Sequence, residues 1–148
     1  NTAWAFAKAG FAAPLLFEAV ALESSKNIST FAPQALSNTV WAFAKADFQA
    51  PALFEAVAAE APKAIAAFTP QALANTVWAF ATAGVADGAL FEAVALESSK
   101  QMAAFSPQAL ANTAWAFAKA GVEAPKLFET IAAEALEKIE TFSPQALA

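Results

Sequence analysis

The chain is 148 residues long and carries eight lysines, thirteen acidic residues and a net charge of −5, with no arginine, histidine or cysteine. Without cysteine it can form no disulfide, thiolate nucleophile or cysteine-based zinc site, and without histidine it lacks the commonest general base. An acidic chain without arginine also lacks the clusters of basic side chains on which phosphate binding usually relies.

Hydrophobic residues make up 59% of the chain, so a membrane span has to be considered. Residues 64–86 carry no charge, but Pro70 divides this run into two short segments. A membrane-spanning helix needs about 20 consecutive, predominantly apolar residues. The sequence therefore predicts no membrane span, and helices that are buried on several sides.

One unit of 37 residues recurs through the whole chain without insertions. The segment Phe31–Ala46 reads FAPQALSNTVWAFAKA, and close copies follow at Phe68–Ala83 and Phe105–Ala120. A fixed period of this length is typical of solenoids, propellers and arrays. We take the repeat units as residues 1–37, 38–74, 75–111 and 112–148, and we expect the array to continue into further repeats at both ends.

Each repeat predicts two helices, called helix A and helix B. Pro33 suits the first turn of helix A, where its missing N–H costs no hydrogen bond, and this helix then runs to about Lys45. The residues before the equivalent prolines are expected N-caps, with Ala32 as the exception: they are Thr69, Ser106 and Ser143. The expected C-terminal stops are Gly10, Gly84 and Gly121, and Asp47 is the exception at this position in the second repeat.

Helix B begins at a proline in three repeats and at Gly88 in the third. It is expected to run for about four turns, to near Ile28, Ile65, Met102 and Ile139. Short loops make neighbouring helices antiparallel, and no useful length alternates with a period of two residues, so no strands are expected. The predicted fold is all-α: a right-handed αα-solenoid of four helical hairpins. Its eight expected helical segments include a partial helix A at each end.

Helical geometry gives helix A two apolar sides. Leu36, Val40 and Phe43 share one side, and Ala35 and Ala42 form a second, flat side where another helix can approach. A helix of this kind lies between neighbours on the inner surface of a solenoid, whereas helix B, with one broad polar face, lies outside. The phenylalanines expected to be nearly fully buried are Phe17, Phe43, Phe54, Phe80, Phe91 and Phe117.

A narrow polar stripe remains on helix A, with glutamine, asparagine, tryptophan and lysine at spacings i, i+4, i+7 and i+11. Amide, aromatic and ammonium groups suit single-stranded RNA, through base-edge hydrogen bonds, stacking and phosphate contacts. The alternative is structural: tryptophan packs between repeats, and asparagine bonds the loop or backbone of the next unit. The candidate binding residues are Lys8, Gln34, Asn38, Trp41, Lys45, Gln71, Asn75, Trp78, Gln108, Asn112, Trp115 and Lys119.

The acidic residues fall mainly on helix B, in two rows. The first row is Glu18, Glu55, Glu92 and Glu129, and the second is Glu23, Glu60, Glu97 and Glu134. Three members of the second row precede a lysine by three residues, as ion pairs on a solvated helix face do. We therefore predict no catalytic residues, no metal site and no cofactor.

The segments Pro70–Thr76 (PQALANT) and Trp78–Ala81 (WAFA) carry a family resemblance. The pattern FxPQALANTxWAFAxAG resembles the repeat of heptatricopeptide and octotricopeptide repeat proteins, and the resemblance covers the whole chain. Such proteins fold as paired helices, occur in algae, apicomplexans and relatives, and often carry a RAP domain. The resemblance implies an organellar protein, in a mitochondrion or plastid, that binds single-stranded RNA and supports its processing, stability or translation.

Two functions therefore stay open at the level of the sequence. The resemblance and the lysines of helix A favour a non-enzymatic RNA-binding module. The low basicity favours a protein–protein interaction scaffold, such as an architectural subunit of a large assembly.

Overall fold

The computed structural model of the protein describes residues 2–148, and every regular element in this range is helical. Its nine α-helices are α1 Thr2–Ala9, α2 Pro14–Asn27, α3 Pro33–Lys45, α4 Pro51–Glu60, α5 Pro70–Ala83, α6 Gly88–Gln101, α7 Pro107–Ala120, α8 Pro125–Glu137 and α9 Pro144–Leu147. The expected number of eight was wrong, because the two partial A helices flank three complete A helices and four B helices.

The helices form two layers. Layer A consists of α1, α3, α5, α7 and α9, and layer B consists of α2, α4, α6 and α8. Each A helix packs on the A helices before and after it, and from α1 to α7 these contacts are more extensive than those between neighbouring B helices. The chain is therefore an all-α helical-repeat solenoid, as the 37-residue period predicted.

Each turn from an A helix to a B helix contains one residue in the left-handed backbone conformation. The φ angle is 67° at Gly10, 53° at Asp47, 74° at Gly84 and 68° at Gly121. In the third repeat, the N–H of Val85 donates to the carbonyl of Phe80 at 2.9 Å, which closes the turn as in a Schellman motif. The stops expected from the glycines are confirmed, and Asp47 adopts the same conformation at this position.

Side-chain caps start the later A helices. The hydroxyl groups of Thr69, Ser106 and Ser143 each accept a backbone N–H at 3.1 Å, as predicted, whereas Ala32 makes no such bond. The third repeat also caps its B helix, because the Asp87 carboxylate accepts the N–H of Leu90 at 2.9 Å.

Helix α4 departs from the expected four-turn B helix. It ends at Glu60 and continues as a 3₁₀-helix over Ala61–Ala67, so the predicted end near Ile65 was wrong. Pro62 explains the change, because a proline inside an α-helix removes a hydrogen bond and its ring crowds the preceding turn. The other B helices end in shorter 3₁₀ turns: Ile28–Thr30, Met102–Ala104 and Ile139–Thr141.

Phenylalanine pairs join each B helix to the A helix of the next repeat. All six phenylalanines expected in the core are at most 2% exposed. Three pairs, each spanning 26 positions, meet edge to face with ring centroids 4.9–5.0 Å apart: Phe17–Phe43, Phe54–Phe80 and Phe91–Phe117. Edge-to-face geometry is a favoured arrangement of aromatic rings, so each repeat boundary has the same aromatic core.

A buried polar row runs through layer A, and the sequence analysis did not identify it. Thr39, Thr76 and Thr113 are buried, and each hydroxyl donates to the carbonyl four residues earlier at 2.7–2.8 Å. These local bonds satisfy the hydroxyls, so threonine can occupy a tightly packed face. Ser37 adds a bond between repeats, because its hydroxyl donates to the Ala72 carbonyl at 3.2 Å.

Candidate nucleic-acid interface

The polar stripe is the part of layer A that neighbouring helices leave open. Both flanks of α3 are buried, as Leu36 and Ala42 show. Residues spaced i, i+4, i+7 and i+11 share one helix face, and in α3 this face begins at Gln34 and ends at Lys45. The A helices therefore present the same four kinds of side chain in adjacent strips.

The amide row comprises Gln34, Asn38, Gln71, Asn75, Gln108 and Asn112. Its glutamines are exposed and its asparagines are half-buried. One groove at the N-terminal ends of α3, α5 and α7 is lined by the three glutamines together with Asn75 and Asn112. Asn1, which the 37-residue spacing adds to this row, lies outside the described residues. The structure thus brings most of the amide row into a single groove.

The amides in this groove retain free hydrogen-bonding capacity. The Gln108 Nε2 group donates to Asn112 Oδ1 at 2.9 Å. The side chains of Asn38 and Asn75 make no hydrogen bond to any residue in the described range. The structural role considered for asparagine, a bond to the loop or backbone of the next repeat, is absent at these two positions.

The tryptophan row comprises Trp4, Trp41, Trp78 and Trp115. The ring centroids of Trp4 and Trp41 are 6.3 Å apart, and so are those of Trp41 and Trp78. These three side chains are half-buried, whereas Trp115 is 46% exposed. The first three rings therefore pack against each other across repeats, as the structural alternative predicted, and the row stays partly exposed.

The lysine row comprises Lys8, Lys45 and Lys119, all of them exposed. The Lys8 Nζ lies 4.8 Å from the centre of the Trp4 ring, within reach of a cation–π interaction. The fourth position of the row is Thr82, which is also exposed. No lysine of the row forms an ion pair within residues 2–148.

Carboxylates dominate layer B. The three expected i, i+3 pairs are present, with N–O distances of 3.9 Å (Glu23–Lys26), 3.1 Å (Glu60–Lys63) and 3.6 Å (Glu97–Lys100). The other acidic row is exposed and has no ion pair in the described part of the chain: Glu18, Glu55, Glu92 and Glu129. Among the described residues, the three lysines of layer A thus have no carboxylate partner, whereas four of the other five lysines are paired and only Lys126, on α8, is not.

The described residues contain neither a cluster of side chains suited to a metal ion nor a helix long and apolar enough to cross a membrane.

Two inter-repeat bonds were not found from the sequence. The Gln101 Nε2 group donates to the Phe68 carbonyl at 3.0 Å, and the Lys138 Nζ donates to the Phe105 carbonyl at 2.6 Å. Both donors occupy the same place in their repeats, and so do both acceptors. The 37-residue spacing could have revealed that these two bonds are equivalent, but the donor is a glutamine in one repeat and a lysine in the next.

A family model described as RNA-editing substrate-binding complex 6 protein (RESC6) matches residues 2–146. No curated protein matches the chain. The family match supports an RNA-related helical protein, which is the coarser part of the resemblance. It gives no support to the heptatricopeptide or octotricopeptide assignment itself.

Proposed function

The chain belongs to the RNA-editing substrate-binding complex 6 protein family, and from this premise we propose that it is a non-enzymatic module that binds single-stranded RNA along layer A. The family name describes a component of a complex that binds RNA-editing substrates. In this proposal the solenoid supplies an extended surface for the RNA, and its own residues carry out no covalent chemistry.

The observation that carries the proposal is the row of exposed lysines on layer A, whose helices contain no acidic residue. Within residues 2–148 these lysines have no carboxylate partner, while four of the other five lysines are paired and the fifth, Lys126, shares α8 with three glutamates. A phosphate backbone is attracted most strongly to cations that have no nearby counter-charge. The amide and tryptophan rows lie on the same helix faces and supply contacts for bases.

A matched pair of lysine variants tests this placement. We expect Lys45→Ala to weaken binding of all RNA sequences alike and to reduce the salt dependence of the affinity, because one phosphate contact is lost. Lys26→Ala, on layer B, should leave the affinity unchanged. The measurement is fluorescence anisotropy with labelled single-stranded RNA at low and moderate salt. Equal losses in the two variants would place the RNA elsewhere.

A protein-binding scaffold is the second candidate function. It is favoured by the outer surface of layer B, where Leu15, Leu22 and Leu96 are more than half exposed beside the unpaired glutamates. Exposed apolar side chains with charged neighbours are common at protein interfaces. If no RNA binds even at low salt, the scaffold function replaces RNA binding.

Two finer assignments belong to the same proposal. We keep the heptatricopeptide or octotricopeptide type of repeat, because the PQALANT and WAFA segments of the repeat resemble it. Of the two organelles implied by that resemblance, we propose the mitochondrion, because the family match is consistent with it and does not support a plastid.

A further inference from the structure

Resting on the proposed RNA function, we propose that the amide row selects adenine-rich single-stranded RNA by seating bases in the groove at the N-terminal ends of α3, α5 and α7. The groove is lined by Gln34, Gln71 and Gln108, together with Asn75 and Asn112. Neither the family match nor the charge distribution specifies a base, so this inference concerns the groove alone.

Each complete repeat presents the same amide side chains to a base. Helical-repeat proteins that read RNA bases use two or three side chains in each repeat to select one base. Here the glutamine and the asparagine are the same in each complete copy, so successive repeats offer successive bases the same partners. Identical side chains in successive repeats select the same base each time, so the expected ligand is a tract of a single base.

The amides also present a defined hydrogen-bonding pattern. In α7, Gln108 Nε2 donates to Asn112 Oδ1, and this bond leaves the Gln108 carbonyl oxygen and the Asn112 amino group available. An acceptor and a donor are then offered side by side. The two amides lie one helical turn apart, so the edge of a base can contact both of them or pair with only one.

Adenine is the base whose N7 edge complements a side-chain amide. It offers a donor next to an acceptor at N6 and N7, and Asn or Gln pairs with these two atoms through both ends of its amide. Its N6 and N1 atoms offer the same kind of pair on the adjacent Watson–Crick edge. Guanine offers two acceptors at O6 and N7, so it can pair with one amide only through N1 and O6 or through N2 and N3, and pyrimidines have no N7 edge. A purine that enters the groove with its N7 edge is therefore selected as adenine.

The tryptophan row adds a preference for a large ring. The tryptophan follows the asparagine of the same helix by three residues, so its ring borders the amide row. Trp115 is 46% exposed and gives a base the most open aromatic face of the row. Stacking on an aromatic side chain tolerates every base, but a purine covers more of the indole than a pyrimidine does. This contact excludes none of the bases and reinforces the selection by the amides.

Binding of short RNA homopolymers to the full chain tests the inference. We expect oligo(A) to bind about fivefold more tightly than oligo(U) or oligo(C), which is the low end for a single bidentate amide–base pair. Asn75→Ala should reduce this ratio without lowering oligo(U) binding, because one of several equivalent amides is lost, and Gln71→Ala, at an exposed position, should reduce it as well. Asn27→Ala is the matched control, because Asn27 lies on layer B and bonds only to Glu23 of its own helix.

The outcomes separate this inference from the function on which it rests. Equal binding of all homopolymers, sensitive to Lys45→Ala, would overturn the adenine preference and leave RNA binding in place. An adenine preference that is unchanged in both Asn75→Ala and Gln71→Ala would move base recognition to another surface. Selection of a mixed, ordered RNA motif would contradict the argument from identical readers. Absence of binding to every RNA at low salt would overturn the proposed function itself.

Discussion

At the scale of single residues, the turns from helix A to helix B show how one backbone angle constrains sequence. Glycine adopts positive φ angles without steric cost, whereas a Cβ atom disfavours them. Asp47 adopts this conformation with a φ of 53°, so a non-glycine residue is accommodated here. Aspartate tolerates the left-handed region better than most residues do, which accounts for its presence at this position.

The cost of a side chain at the turn can be measured at Gly84. No atom lies within 4 Å of the place where a Cβ would be added, so its cost comes from the backbone angle alone. We expect Gly84→Ala to lower the free energy of unfolding by about 1 kcal/mol. Gly88→Ala is the control, because Gly88 has equally open surroundings and no positive φ. Urea denaturation measures both variants, and similar losses in the two would show that the φ angle is not responsible.

At the scale of elements, the repeat boundary is held by an aromatic pair and by polar bonds at its edge. The centroids of Phe54 and Phe80 are 4.9 Å apart, and the amide of Gln101 bonds the Phe68 carbonyl of the preceding repeat. The aromatic pair supplies the larger share of stability, because burial of two rings outweighs one hydrogen bond at the surface.

The aromatic core therefore predicts a large effect of truncation. We expect Phe80→Ala to lower the free energy of unfolding by about 3–5 kcal/mol, through lost burial and the cavity that remains. Phe128→Ala should cost much less, because Phe128, at the position of Phe54 in the fourth repeat, is 37% exposed. Thermal and chemical denaturation of both variants measure the difference. A loss below about 1 kcal/mol for Phe80→Ala would show that this face of α5 contributes little to the core.

At the scale of the whole molecule, the net charge of −5 is unevenly distributed, because the A helices contain lysines and no acidic residue while the B helices contain most of the carboxylates. In a solenoid, each repeat adds a similar strip to each face, so a charge carried by most repeats becomes a row. Lysine forms such a row on layer A, with Thr82 at the one interrupted position. Because the two layers face apart, the negative charge of layer B is partly screened from a ligand on layer A at physiological ionic strength.

Thr82, which interrupts the lysine row, allows a gain-of-function test. Three phosphate contacts on single-stranded RNA predict a slope of about −2 for the logarithm of affinity against the logarithm of salt concentration. Thr82→Lys should tighten binding of all sequences and steepen the slope by about 0.7. Ala59→Lys, on the exposed surface of α4, adds the same charge to layer B and serves as the control. An equal gain from both variants would indicate attraction by net charge and not by the row.

The sequence by itself determined the repeat, the all-α fold, the capping residues and the six buried phenylalanines, because these follow from local helix rules and a strict period. A local residue, Pro62, also determines where α4 ends. The strict 37-residue repeat instead suggested the same helix end in every unit. Only the tertiary structure decided how the polar stripe is arranged: which amides share a groove and which tryptophans touch. It also decided where Gln101 and Lys138 form hydrogen bonds. Those features depend on the distance and rotation between neighbouring A helices. Packing of alanine, threonine and phenylalanine side chains sets both quantities, and no spacing along the chain records them.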